Sequence, residues 1–291
     1  MNRWVQYVQY YKEKNPDLSF KQALQTAKKS YKENKIKYGF KKINTKINAI
    51  DKIYWINLDR SLDRKINMDL ILKGLNNIPN ERISASDGAS DAVLNNFILK
   101  NGITQKNIVY ACLLSHLRAV KTFWESGLQT ALILEDDTSL HFVKYWEKDL
   151  NSILQDAPED WDIVMMSYSL GTRLIKNPVQ KKMEFKDLYN PWLPGINSTA
   201  AYIINRTGAE KIMKLYKDTK WAINDLPHVS DHVIYKNTNT YVYKYAYFTG
   251  LNKDSTIHND DLWKHKYSTN FSKKMWIDKK RLSNNSQPEP L

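Results

Sequence analysis

The chain has 291 residues, of which 42% are apolar and 26% charged, and these values exclude collagen-like, disulfide-scaffold and wholly disordered proteins. Its single cysteine, Cys112, excludes an internal disulfide bond. No stretch approaches the ~20 apolar residues that a membrane-spanning helix needs, and the first residues do not resemble an apolar secretory core. We therefore expect a cytoplasmic protein without a transmembrane segment.

The net charge of +13 is concentrated at the N-terminus. Residues 1–50 hold 12 Lys or Arg and 3 Asp or Glu, whereas the rest of the chain holds 32 and 28. Residues 1–46 are predicted to form a basic arm, a helical hairpin followed by a linker, whose second helix begins at a capping box of Ser19 and Gln22. Such an arm binds nucleic acid, an acidic membrane or an acidic partner, or it is a solubilising appendage, which is the commoner role of a Lys-rich face.

Residues 47–271 are predicted to form one α/β domain, followed by a polar, loosely held tail at residues 272–291. Strands alternate with helices here, and several apolar runs are typical of strands that are buried on both faces. This alternation predicts a Rossmann-type central sheet with flanking helices, in which ligands bind beyond the carboxyl ends of the strands. We predict strands at residues 52–58, 83–85, 131–134, 161–166, 198–205 and 241–248, and helices at residues 65–75, 111–126 and 207–216.

Three carboxylates follow the apolar run that ends at residue 134: Glu135, Asp136 and Asp137. Such a cluster is repulsive unless a positive charge lies beside it. In an extended chain Glu135 and Asp137 point to the same side, and paired carboxylates suit Mg²⁺ or Mn²⁺ bound together with phosphate. The alternative is a solvated turn or a helix cap.

Two further groups of polar residues are candidates for a nucleotide pocket. Asn57, Asp59, Arg60 and Arg64 follow the first strand of the domain, where Arg can clamp phosphate and Asp or Asn can hold ribose hydroxyls. Their alternative is a helix cap with surface ion pairs. The second group, His116 with Arg118, lies within a predicted helix, where a lone histidine is more often a structural hydrogen-bonding residue.

Several common enzyme classes lack their sequence signatures here. The chain has no G-x-G-x-x-G motif, no Walker A motif and no G-x-S-x-G motif. One cysteine cannot build a cysteine-based zinc site. Dinucleotide oxidoreductases, P-loop NTPases and α/β-hydrolases are therefore disfavoured.

Four motifs follow one another along the chain: INLDRSLDR at residues 56–64, ACLLSHLRA at 111–119, ALILEDD at 131–137 and AYII at 201–204, the last followed by Gly208-Ala209. Taken in this order, they resemble glycosyltransferase family 25, which includes bacterial lipooligosaccharide galactosyltransferases and procollagen galactosyltransferases. The resemblance covers about residues 50–260. It implies a GT-A-like fold, a UDP-sugar donor, Mn²⁺ as the usual metal, and an inverting transfer.

The same resemblance implies roles for individual residues. Glu135 and Asp137 would bind metal and diphosphate, with His258 as a third metal ligand. Asp231 would be the general base that inversion requires, with Asp225 as the second choice. The residues that would line or support the nucleotide pocket are Asn57, Asp59, Arg60, Arg64, His116, Arg118 and Asp136.

The sequence therefore predicts a metal-dependent inverting glycosyltransferase. It would move galactose or glucose from a UDP-hexose to a hydroxyl of a glycan or protein, with Mn²⁺ or Mg²⁺ as cofactor. The alternatives are a non-catalytic glycan-binding or scaffold relative of the same fold, and a nucleic-acid-binding protein that acts through the basic arm. The arm resembles N-terminal helical modules of giant-virus proteins, which for a viral chain would imply the host cytoplasm. The donor sugar, the acceptor and a homodimer remain open.

Overall fold

A computed structural model describes residues 8, 11–12, 15–34, 49–75, 78–250 and 262–285. Its centre is a seven-stranded mixed sheet with flanking helices, and this confirms the predicted α/β class. The sheet order is β2-β1-β4-β10-β6-β13-β8. These strands are β1 (Lys52–Asn57), β2 (Asn80–Ser84), β4 (Thr130–Glu135), β6 (Ile163–Met165), β8 (Tyr189–Pro191), β10 (Ala201–Asn205) and β13 (Thr240–Tyr243).

Five of the seven strands run in the same direction, and β10 and β8 run against them. β1 pairs in parallel with both β2 and β4, and β6 pairs in parallel with β13. β10 lies antiparallel between β4 and β6, and β8 is antiparallel to β13. The register sets Ile56 beside Glu135, so the loops that follow β1 and β4 leave the sheet side by side.

The central strands are held by apolar burial. In β4 the four residues 131–134 are fully buried, as are residues 201–204 of β10. Both faces of these strands are covered, which explains why the sequence shows continuous apolar runs instead of alternation. Each buried Leu or Ile contributes about 1.5–3 kcal/mol relative to an exposed position.

Helix α3 (Asn107–Glu125) contacts β1 and two shorter helices, α7 and α8. It ends as predicted, with Gly127 at φ +74 just beyond its last turn. The other helices are α1 (Phe20–Asn34), α2 (Leu62–Gly74), α4 (Leu150–Gln155), α5 (Thr172–Lys176), α6 (Pro178–Glu184), α7 (Arg206–Met213), α8 (Ser230–Lys236) and α9 (Leu262–Asn285). None of the described helices is long and apolar enough to span a bilayer.

Smaller sheets complete the described fold. β3 and β12 are parallel, and β11 joins β12 antiparallel. Two short antiparallel pairs, β5–β14 and β7–β9, border the region beyond the carboxyl ends of β4 and β6. Their bounds are β3 (Phe97–Leu99), β5 (Thr138–Ser139), β7 (Ser169–Leu170), β9 (Ile196–Asn197), β11 (Tyr216–Lys217), β12 (Lys220–Ile223) and β14 (Thr249–Gly250).

The N-terminal arm is described only in part. The Ser19–Gln22 capping box is present, with each residue's backbone N–H donating to the other's side chain (2.8 and 3.2 Å). Ala23 and Ala27 of α1 are buried, and α1 contacts α2, so this helix packs on the domain. Most of the predicted first helix of the hairpin and the linker lie outside the described residues.

The prediction of a loosely held tail from residue 272 is wrong for the part that the structure describes. α9 runs continuously through this boundary to Asn285. Ser272 and Trp276 are buried, and the Trp276 indole donates a hydrogen bond to the Ala246 carbonyl (2.8 Å). Trp276 is fully buried, and Tyr267, Phe271 and Met275 pack against the core beside it, so an apolar strip holds this lysine-rich helix on the domain.

Candidate active site

A cavity of about 450 Å³ lies beyond the carboxyl end of β4. Its wall includes Glu135 and Asp137 from β4 and the following turn, and Asp231 from the start of α8. The first turns of α9 close another side. The structure therefore brings together three carboxylates that are up to 96 residues apart in sequence, and partly buried carboxylates that share a cavity mark a candidate active site.

Glu135 is held by two donors. Thr199 Oγ1 donates to Glu135 Oε1 (2.8 Å), and His116 Nε2 lies 3.2 Å from the same oxygen. Burial opposes ionisation, but the bonds from His116 and Thr199, together with the charge of Arg64, outweigh it and lower the pKa of Glu135. The carboxylate is thus kept ionised, and within the described residues Oε2 is left for a ligand.

Asp137 differs from Glu135 both in its hydrogen bonds and in the direction of its pKa shift. Its Oδ1 is buried and lacks a hydrogen-bond partner among the described residues. Burial and the neighbouring charge of Glu135 raise the pKa of Asp137 to about 7, although Arg64 partly offsets them. A buried carboxylate oxygen without a donor fits a divalent cation, because a hard cation would satisfy it and offset the repulsion from Glu135.

The protein supplies only part of such a metal site. Among the described residues, no group of three or more His, Cys, Asp or Glu is arranged to hold a metal ion. His258, predicted as the third ligand, lies outside the described residues. His265 and Lys264 of α9 line the cavity instead. Mg²⁺ and Mn²⁺ bind to sites in which the protein supplies two carboxylates and the remaining coordination positions are filled by phosphate and water.

Asp136 points away from this pair. It is buried, and it accepts hydrogen bonds from Asn57 Nδ2 (2.7 Å) and Arg64 (2.9 Å). Burial raises its pKa in spite of both donors. The alternation of the chain thus places Glu135 and Asp137 on the cavity side and Asp136 against the loop that follows β1.

The loop that follows β1 is organised by an arginine that sequence reasoning did not select. Arg82 on β2 donates from Nε to Asn57 Oδ1 (2.9 Å) and from Nη2 to Asp59 (2.5 Å). Hydrogen bonds from Arg82 and Ser84 lower the pKa of Asp59, which is exposed. Arg60 is exposed and forms an ion pair with Asp87.

Of the residues predicted on α3, the structure brings one into the site. His116 is buried between Glu135 and Tyr202, whose hydroxyl lies 3.3 Å from its Nδ1. With Nε2–H assigned as the donor to the carboxylate, Nδ1 accepts from this hydroxyl. Arg118 lies two residues further along and is exposed, since it lies on the opposite side of the helix from His116. It does not support the pocket.

The two candidate bases differ sharply in position. Asp231 lines the cavity and accepts hydrogen bonds from the backbone N–H groups of Ser198 (3.3 Å) and His232 (2.9 Å). Burial raises its pKa, and these two donors only partly offset the effect. Asp225 is 56% exposed and pairs with Lys236 at the surface (3.3 Å). The structure therefore retains Asp231 as the candidate and places Asp225 outside the cavity.

Some residues of the site were missed because they have no motif of their own. Asn67 in α2 is buried and donates to the backbone carbonyls of Asp136 (3.3 Å) and Thr138 (3.1 Å), which fixes the acidic turn. Thr199 and Tyr202 act on the turn through Glu135 and His116. Only the register of the sheet shows that they are neighbours.

Comparisons with known proteins give one family. A model of glycosyltransferase family 25, described as an LPS biosynthesis protein, matches residues 50–234, more than half of the chain. No curated protein matches the chain. Two solved structures are distantly similar: A197 from STIV (13% identity, 69% of this chain and 84% of that one, TM-score 0.38) and the apo form of mouse xyloside xylosyltransferase 1 (10%, 63% and 66%, TM-score 0.28).

Proposed function

This chain belongs to glycosyltransferase family 25, and from this premise we propose that it is a metal-dependent inverting hexosyltransferase. The donor is a UDP-hexose, with galactose or glucose as the sugar, and the acceptor is a hydroxyl group of a glycan or a protein. The observation that supports this most directly is the cavity that holds the Glu135–Asp137 pair on one wall and Asp231 on another.

Glu135 and Asp137 are the residues that would hold Mn²⁺ or Mg²⁺. When bound, the cation would neutralise the diphosphate that leaves with the sugar bond. His116 and Thr199 keep Glu135 ionised, and Asn67 fixes the backbone between the two carboxylates. These contacts form before any ligand arrives, so the site is preorganised for a cationic ligand.

Asp231 is assigned as the general base. It would accept the proton of the acceptor hydroxyl while the oxygen attacks the anomeric carbon, opposite the departing UDP. A carboxylate whose pKa is raised by burial is a better proton acceptor than an exposed one, which suits this role. The two backbone N–H groups that bond to its carboxylate hold it in place.

The loop that follows β1 is assigned to the nucleotide. Asn57, Arg64 and Asp136 form a buried hydrogen-bonded set, and Asp59 and Arg60 are exposed beside it. The exposed pair, which bonds to Arg82 and Asp87, would contact ribose and phosphate, while the other set gives the loop its shape.

The test is UDP release from a panel of UDP-sugars, with Mn²⁺ or with EDTA, in the wild type and Asp137→Asn. Glycosyltransferases commonly hydrolyse the donor slowly in the absence of acceptor, so the acceptor need not be known. We expect metal-dependent release from one UDP-hexose that is lost in the variant. Absence of both UDP release and UDP binding by calorimetry would exclude the transferase, whereas binding without release would favour a non-catalytic relative.

A further inference from the structure

The outer face of α9 carries a row of lysines. Because an α-helix turns about 100° per residue, the directions of Lys266, Lys273 and Lys280 around the helix axis differ by at most about 40°. Lys274 lies beside this row, and all four side chains are exposed. Within the described part of the chain, none of the four forms an ion pair with a carboxylate. Asp278 is the one acidic residue of α9, and it is exposed at the flank of the row.

Several lysines elsewhere on the molecule do pair with carboxylates. Lys121, Lys211 and Lys236 each pair with a carboxylate, and so does Lys279 on the inner side of α9, which bonds to Glu147 (2.8 Å). The outer row of α9 therefore carries charge that the described protein does not neutralise. Like charges held along one helix face repel one another unless an external anion lies against them.

A neighbouring helix extends the same surface. Lys181 of α6 bonds to the Tyr267 hydroxyl and lies 5.2 Å from the Phe271 ring centroid. Tyr267, Phe271 and Lys274 share one side of α9 at spacings of four and three residues, so Lys181 and the exposed Lys182 lie next to the row. We call this surface the lysine face; its residues are Lys181, Lys182, Lys266, Lys273, Lys274 and Lys280.

The charge distribution of the domain singles out this face. Residues 172–186 hold five Lys or Arg and one acidic residue, and residues 262–285 hold seven and one. The two segments that carry the lysine face are thus strongly positive, whereas the rest of residues 51–291, with 20 basic and 26 acidic residues, has a negative net charge. Such an asymmetry orients a protein toward an anionic surface.

Two exposed apolar side chains border the lysines. Trp263, one turn before Lys266 on the same side of α9, is 49% exposed, and Val179, one turn before Lys182, is 72% exposed. Tryptophan is enriched at membrane–water interfaces, and lysines next to it bind anionic headgroups. Phosphate contacts to a nucleic acid would have no use for the exposed valine. We propose that the lysine face, with Trp263 and Val179, docks the protein on an anionic membrane surface.

This docking has a geometric consequence for the proposed transferase. The opposite side of the first turns of α9, with Lys264, His265 and Ser268, lines the cavity. A bilayer against the lysine face would therefore lie about one helix diameter, ~10 Å, from the cavity wall. Acceptors displayed at the membrane would be close to the site. The membrane binding itself does not depend on the proposed activity; only this consequence does.

The test is co-sedimentation of the full chain with vesicles of phosphatidylcholine, alone or mixed with phosphatidylglycerol. We expect binding to the mixed vesicles only, weakening as salt is added. The variant with Lys266→Glu, Lys273→Glu, Lys274→Glu and Lys280→Glu should bind at least about 100-fold more weakly, since each lysine near an anionic surface contributes about fivefold.

A matched control keeps the same net charge and changes exposed lysines elsewhere: Lys100→Glu, Lys106→Glu, Lys217→Glu and Lys220→Glu. This control should bind vesicles far more tightly than the α9 variant, and both variants should keep the circular dichroism spectrum of the wild type. Equal binding by the two variants would overturn the proposal. So would tighter binding of the wild type to duplex DNA than to the mixed vesicles at the same salt, because the face would then be a nucleic-acid surface.

Discussion

At the scale of single residues, the burial of Asp231 has opposite effects on its proposed catalytic role and on the stability of the protein. Its burial makes the carboxylate a stronger base, and the same burial destabilises the folded protein whenever the group is ionised. Because its pKa is higher in the folded than in the unfolded chain, the folded state binds this proton more tightly. The free energy of unfolding therefore loses a contribution as the pH rises from the ordinary Asp range through the folded-state pKa.

Asp231→Asn should separate these two effects. Removing a general base lowers the rate of transfer by about 10²–10⁴-fold. At neutral pH the variant should melt at a higher temperature than the wild type, and the difference should shrink toward acid pH, where Asp231 is protonated. Melting curves at several pH values, together with UDP release, measure both effects.

Asp225→Asn is the matched control for this experiment. It removes an exposed carboxylate that pairs with Lys236 outside the cavity, and such surface pairs contribute about 0–1 kcal/mol. We expect activity close to that of the wild type. Loss of activity in Asp225→Asn with retention in Asp231→Asn would reverse the assignment of the base.

At the scale of the elements, the loop that follows β2 is fixed by a close approach to α3. Gly88 lies so near the first turn of α3 that an added Cβ would be 2.4 Å from the Ile108 Cα. The loop carries Asp87, which pairs with Arg60 beside the nucleotide loop. The absence of a side chain at residue 88 thus sets the position of one side of the proposed nucleotide pocket.

Gly88→Ala should therefore destabilise the protein. The Cβ would meet backbone that cannot rotate away, and overpacking of this kind costs about 1–3 kcal/mol. Gly250→Ala is the control, because a Cβ there meets no described atom within 4 Å and the φ of Gly250 is not positive. Chemical denaturation should show a lower midpoint for Gly88→Ala alone; equal midpoints for the two variants would contradict the close approach.

The elements show what the sequence could and could not predict. The buried strands were predictable because Ala131–Leu134 and Ala201–Ile204 are uninterrupted apolar runs, and Gly127 marked the end of α3. The last helix was not, since the residues that pack on the core, such as Tyr267, Phe271 and Trp276, form a narrow strip among many lysines and other polar residues. Such a strip is a weaker signal in the sequence than an uninterrupted apolar run.

The candidate site also has a part that the sequence could predict and a part that it could not. The acidic turn was visible because three carboxylates after a buried strand need a reason. The contacts that support it were not: Asn67, Arg82 and Thr199 come from α2, β2 and the loop before β10, and they have no local pattern. The separation of Asp231 from Asp225 likewise depends on where α8 packs, which chain order does not reveal.

At the scale of the whole molecule, the sheet order explains why negatively charged side chains are concentrated at the site. The parallel strands β1, β2, β4 and β6 end at one edge, and the chain returns there at the starts of α8 and α9. Carboxylates from distant segments therefore meet in one cavity, where His116 and Thr199, with a smaller contribution from Arg64, lower the pKa of Glu135. Such a concentration of negative charge in the ligand-free protein should make its stability depend on a bound cation.

Mn²⁺ together with UDP should therefore raise the melting temperature of the wild type. Binding to the folded state alone stabilises it by about 2.7 kcal/mol when the ligand exceeds its Kd about 100-fold, which for a domain of this size shifts melting by about 5 °C. Asp137→Asn should lose most of the shift, because it removes the carboxylate whose Oδ1 lacks a partner among the described residues. Asp187→Asn, which alters an exposed carboxylate outside the cavity, should keep it. An equal shift in all three proteins would show that the cation binds elsewhere, and the Glu135–Asp137 pair would lose its assigned role.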